Sequence, residues 1–268
     1  MSRNLKIFGA LAVLTAMAVM GGSSAVAAAP LVPKPLLVID EDDAPDCFEF
    51  LPDGTSTAHI GGTPKRVVVD VHVLLDGIEL ARGQEVFNSA TGAYSPLKLG
   101  LNVVGFEQVT FPATGEAARL DGEIVPSIAS QELIDAAKDH VGGRAPSGAD
   151  VVYTLTSKEM TDAAGRADCI GGVRYDDMAF AVGIDMAYAE GDAVFLGGYK
   201  NATAKIVAHE IGHLLGAHHH YFNCAEAATD DDPSPCTIMS PYVSYASMRF
   251  GALEAIVVRG HAEDFASP

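Results

Sequence analysis

The sequence predicts an α/β (α+β) domain, and three observations predict it. A β-branched run begins at Lys65, helix-period apolar stretches follow at residues 78–94 and 131–141, and strand-like runs lie between and after them. Strand, helix, strand, helix, strand is the order of a sheet with helices packed on it. The chain has 268 residues, 49% of them hydrophobic, which is enough to bury such a core and too apolar for disorder throughout.

Residues 1–27 stand apart from that fold. Arg3 and Lys6 precede an apolar run over 7–20, and small residues up to Ala29 offer A-x-A cleavage sites, with a cut expected after Ala27. That is the pattern of a signal peptide, because the run is shorter than the roughly 20 residues a membrane span needs. No Cys lies beside the cut, and no later stretch is long and apolar enough to span a bilayer. Residues 28–63 are acidic and broken by Pro and Gly, which suits an N-terminal extension or a short propeptide. Residues 64–268 form the folded domain.

Within it, Val67, Val69, Val71, Val73 and Leu75 share one face of the first strand, which Asp76-Gly77 ends. The helix over 78–94 offers Leu80, Val86 and Phe87 to the core. A second strand covers 99–111 and stops at Pro112. The helix over 131–141 closes on Gly142-Gly143. A third strand is expected over 149–156, a fourth over 179–186 and a fifth over 194–196.

Net charge is −18, from 17 Lys+Arg and 35 Asp+Glu. Loss of Arg3 and Lys6 with the signal peptide takes it to −20, which repels nucleic acid and anionic membrane. An exported chain keeps disulfides, so Cys47, Cys169, Cys224 and Cys236 are candidate partners. Three connectivities are open. Cys224 and Cys236 bracket a short loop and are the favoured pair, which leaves Cys47 with Cys169.

Five of the nine His residues fall within residues 209–220, in the stretch His209-Glu210-Ile211-Gly212-His213-Leu214-Leu215-Gly216-Ala217-His218-His219-His220. Good helix material precedes it, and Asn201 or Thr203 can cap the helix. His209 and His213, four apart, project from one helical face, where two neutral imidazoles can hold one Zn2+. Gly216 suits a helix-ending turn that returns the chain, so that His219 supplies a third nitrogen. Three His leave one tetrahedral position for water, and Glu210 sits where it can take that water's proton. His218 and His220 flank the third ligand and are expected to face away. H-E-x-x-H alone is a weak signal; with Gly and His added it arises by chance in roughly one sequence of this composition in 20,000.

H-E-x-x-H-x-x-G-x-x-H resembles the metzincin zinc endopeptidases, whose second signature is a Met-containing turn. Cys236-Thr237-Ile238-Met239-Ser240-Pro241 looks like that turn, with Met239 beneath the metal, and its Cys-x-x-Met-x-Pro form is closest to the adamalysin (reprolysin) branch. That branch usually carries Asp where this chain has His220, and Tyr242 stands three residues after Met239. The resemblance implies a mixed twisted sheet with an antiparallel edge strand, an active-site helix, an upper subdomain to about residue 216 and a smaller irregular one over 217–268.

The expected function is a secreted, monomeric zinc metalloendopeptidase acting on protein or peptide substrates, with Glu210 as general base and the substrate laid along an edge strand, assigned to 179–186. The alternatives are a zinc-binding interaction module without turnover and a zinc hydrolase of a non-peptide amide. Cys47 as a zinc-blocking thiolate ranks below its disulfide. Asp230-Asp231-Asp232 can offer carboxylates to Ca2+, yet a solvated acidic loop is the simpler reading. Asn201-Ala202-Thr203 fits a glycosylation site but reads more simply as a helix start.

Overall fold

The computed structural model describes residues 45–47, 66–190, 201–219, 224–229, 232 and 234–266. The signal peptide expected over residues 1–27, nearly all of the lead-in and the strand expected at 194–196 lie outside these residues.

Strand β1 spans Val67–Asp76, helix α1 Leu80–Tyr94, β2 Leu99–Val109, β3 Gly115–Ala118 and β4 Ile124–Ile128. Helix α2 covers Ser130–Val141, followed by β5 Val151–Thr156, β6 Glu159–Met160, β7 Gly165–Ala167 and β8 Phe180–Ile184. Three further helices are α3 Ala187–Glu190, α4 Ala202–Leu214 and α5 Ala252–Phe265. The main sheet has the order β2-β1-β5-β8-β7. Its first four strands run parallel, and β7 closes one edge antiparallel to β8. The sheet is therefore mixed, with an antiparallel edge strand.

The period of two in β1 sorts its side chains between two cores. Val69, Val71, Val73 and Leu75 pack with Val86 and Phe87 of α1 and Val207 and Ile211 of α4. Leu74 points the other way, to Leu133 and Ile134 of α2. Each such side chain, fully buried, contributes about 1.5–3 kcal/mol. Val258 and Ala262 of α5 join the first core, so the C-terminal helix rests on the same apolar mass as α4.

Two expectations are corrected here. Leu80 is 46% exposed, because it opens α1 in a first turn that stands clear of the core. The segment 179–186 does not form the sheet edge: β8 lies between β5 and β7, so β7 holds that place among the described residues. A run as apolar as Phe180–Ile184, buried at every position, is what an interior parallel strand looks like. The small second sheet, β3-β4-β6, had no counterpart in the sequence reading, since its strands are short and β3 is largely exposed.

Candidate metal centre

Helix α4 reads ATAKIVAHEIGHL, and every one of its residues is buried. Its alanines and unbranched residues favour the helix, while its position over β7 and β8 and against α1 covers all its faces. The expected caps do not act. Asn201 occupies the N-cap position at φ 56 without a side-chain cap bond, and Thr203 lies inside the helix. Glu190 does the work instead: its carboxylate accepts the Thr203 backbone N–H at 2.9 Å, where a negative charge suits the helix dipole. Arg82 of α1 donates to Glu190 and Asp185, both at 2.8 Å, and to Thr203 Oγ1 at 3.0 Å. The start of α4 is thereby bound to α1 and α3.

The other end closes in a left-handed turn. Gly216 adopts φ 88, the Ala217 N–H bonds to the Gly212 carbonyl at 3.0 Å and the Gly216 N–H to the His213 carbonyl at 2.8 Å. This double bond pattern is a Schellman motif, and it reverses the chain within two residues. The His261 ring of α5 fills the space where a Cβ on residue 216 would go, so a side chain there is excluded twice.

That reversal brings His219 back to the helix. His213 Nε2 lies 3.0 Å from His209 Nε2, which lies 3.1 Å from His219 Nε2. All three rings are buried. His209 Nδ1 bonds to the Ile238 carbonyl and His213 Nδ1 to the Ala217 carbonyl, each at 2.7 Å. A carbonyl only accepts, so both Nδ1 atoms carry the proton and both Nε2 atoms present lone pairs. Burial, followed by the neighbouring His219, pulls the His213 pKa down to about 3 and keeps the ring neutral. Lone pairs converging on one point can be bridged by a cation. Tetrahedral ligands at 2.0–2.1 Å from Zn2+ stand about 3.3 Å apart, close to the spacing observed. Among the described residues this is the one His/Cys/Asp/Glu group arranged to hold a metal.

The remaining site candidates fall around it. Glu210 is buried, with its carboxylate against Gly165 of β7. Met239 is fully buried against α4, its Sδ 2.8 Å from where a Cβ on Gly212 would stand, so the missing side chain lets the thioether approach the helix. The turn that carries Met239 also presents the Ile238 carbonyl to His209. His218 turns outward to Asp46, with 3.4 Å between Nε2 and Oδ1. His220, Asp230 and Asp231 lie outside the described residues. Cys47 is bonded to Cys169 and Cys224 to Cys236. Cys47 is therefore not a metal-blocking thiolate.

Other residues of the site were missed in the sequence. Lys205, one turn before His209, is buried and donates to Ser234 Oγ and the Val243 carbonyl, both at 3.3 Å. Tyr94 at the end of α1 donates to the Ala208 carbonyl at 2.6 Å. No spacing in the sequence announces either contact, whereas an isolated Gly in a strand, such as Gly165, is a signal of close approach.

A family model, described as the reprolysin-like metallopeptidase family M12B, matches residues 80–220, just over half of the chain. No curated protein matches at a significant level. Among solved structures, metalloproteinase-II from Bacteroides fragilis is 11% identical over 72% of this chain and 52% of its own, with a TM-score of 0.46. Archaemetzincin from Methanopyrus kandleri is 15% identical over 73% of this chain and 96% of its own, with a TM-score of 0.48. The chain thus spans about half the length of the Bacteroides protein.

Proposed function

The chain belongs to the reprolysin-like metallopeptidase family M12B, and from that membership we propose a secreted zinc-dependent endopeptidase whose metal is held by His209, His213 and His219. The observation that carries the reading is the convergence of three buried Nε2 atoms, two of them with the tautomer set by backbone carbonyls. Such outer partners orient metal-ligating imidazoles and raise their basicity. His209, His213 and His219 would hold Zn2+, which when bound would supply Lewis acidity for the scissile carbonyl and for water at neutral pH.

The chain's own groups do the rest. Glu210 Oε accepts a proton from the attacking water and returns one to the departing amine. Among the described residues strand β7 ends the main sheet beside Glu210, so its outer edge can take an extended peptide as one more strand and present the scissile bond to the site. Met239 and Ile238 support the metal centre from below. Export rests on the signal pattern of residues 1–27 and agrees with two disulfides.

The deciding experiment is hydrolysis of casein or a quenched peptide library by the purified protein. Activity should vanish with a chelator, return with Zn2+, and fall by at least about 100-fold in Glu210→Gln, a typical general-base contribution, while that variant keeps its zinc. Zinc binding without cleavage would point to an interaction module, and cleavage confined to non-peptide amides to another hydrolase. Near-normal turnover in metal-loaded Glu210→Gln would remove the general-base role.

A further inference from the structure

Gly165 and Gly183 face each other across the β7–β8 pair. Paired residues in an antiparallel ladder point to the same face of the sheet, and here that face is covered by α4. Neither glycine leaves a void. A Cβ on Gly165 would meet the Glu210 carboxylate, and one on Gly183 would meet the Tyr153 hydroxyl. Ile206 Cγ2 lies 2.7 Å from the first position and 2.9 Å from the second, so the two groups occupy one space beneath one side chain. The glycine pair is what makes room for them.

Tyr153, on β5, is fully buried, and its hydroxyl has no hydrogen-bond partner among the described residues. Its ring is held edge-on to Phe87 at 5.5 Å, which aims the hydroxyl toward the glycine pair. A buried hydroxyl without a partner is destabilising, and such groups in folded proteins find a partner or have a function. Burial raises the Tyr153 pKa well above that of an ordinary phenol, and the Glu210 charge raises it further, so the group stays a protonated donor facing a carboxylate. Catalytic hydrogen bonds are often long before substrate binds and tighten in the complex.

We propose that Tyr153 is a positioning residue whose hydroxyl donates to the Glu210 carboxylate and holds it in the orientation that accepts the proton of the attacking water. The inference rests on the general-base reading of Glu210. The donor lies on the sheet and Glu210 on α4, so the bond fixes the base to the same framework that carries the substrate-binding edge. Gly165 and Gly183 set its geometry by staying without side chains.

The test combines kinetics with a thermal double-mutant cycle. Tyr153→Phe keeps the ring and its packing on Phe87. It should retain wild-type zinc content and KM while kcat falls about 10–100-fold, the scale seen when an orienting partner is removed. Gly183→Ala, which displaces the hydroxyl and leaves Tyr153 in place, should reproduce the kcat loss. In the cycle, the Tm change caused by Tyr153→Phe should differ between the wild-type and Glu210→Gln backgrounds, since directly bonded residues are not additive. A kcat for Tyr153→Phe within twofold of wild type at equal zinc content would overturn the proposal, and so would additive Tm changes. If the wild-type protein cleaves no peptide, the peptidase reading fails, and the thermal cycle alone then decides the bond.

Discussion

The two described imidazoles of the 218–220 cluster point in different directions. His219 points into the buried cluster at 3.1 Å from His209, while His218 is solvent-facing and touches Asp46. An exposed ion pair of that kind is worth at most about 1 kcal/mol. Zinc content after dialysis against a weak chelator should collapse in His219→Ala and stay near wild type in His218→Ala; the reverse order would mean the ligand is misassigned. His261 makes a different demand. Burial lowers its pKa below the ordinary 6.5, against smaller opposing effects of the Val257 carbonyl and Asp264, while Arg174 adds to the lowering. The unfolded chain therefore takes up a proton before the folded one as pH falls through about 6.5. Stability should decline below that pH, and His261→Gln should lose part of the decline. Parallel Tm-against-pH curves for the two proteins would rule this out.

At the scale of the element, α4 is held at both ends by groups far away in sequence. Glu190 and Arg82 satisfy its start, and Gly216 with His261 shapes its end. The closing turn matters most for the site, because the Ala217 carbonyl that fixes His213 and the return of His219 both depend on it. Gly216→Ala places a Cβ in the left-handed region and against the His261 ring. It should cost about 1–3 kcal/mol in chemical denaturation, the usual strain for such a position. Zinc affinity should fall in parallel. Unchanged denaturation and zinc binding would show that the turn is not a determinant of the site.

For the whole molecule, the Cys47–Cys169 bond governs what the lead-in can do. Cys47 N–H bonds to the Ile170 carbonyl at 3.2 Å, and the Ile170 N–H to the Pro45 carbonyl at 2.9 Å, so the strip 45–47 is stitched beside the end of α4. A crosslink across a separation of 122 residues stabilises by about 4–5 kcal/mol on loop-closure entropy. Proteolysis between Cys47 and Arg66 should therefore leave the N-terminal piece attached. Non-reducing gels after limited trypsin digestion should show one species that splits only with reductant; a piece released without reductant would make the segment a removable propeptide.

Chemistry confined to a few neighbouring residues was legible in the sequence. The spacing of His209, Glu210, His213, Gly216 and His219 needs only helix geometry and one turn, and the alternation in Val67–Asp76 needs only a pleat. Both are local rules, so one chain suffices to read them. The place of β7 beside β8, the Glu190 cap and the contact of His218 with Asp46 were not legible. Each depends on segments tens of residues apart coming together, and no local periodicity encodes which strand lies outermost or which carboxylate reaches a helix end. The clustering of His209, His213 and His219 was thus written by the sequence itself, while the groups that orient these rings were chosen by tertiary packing, because a buried polar atom takes its partner from whatever the fold places beside it.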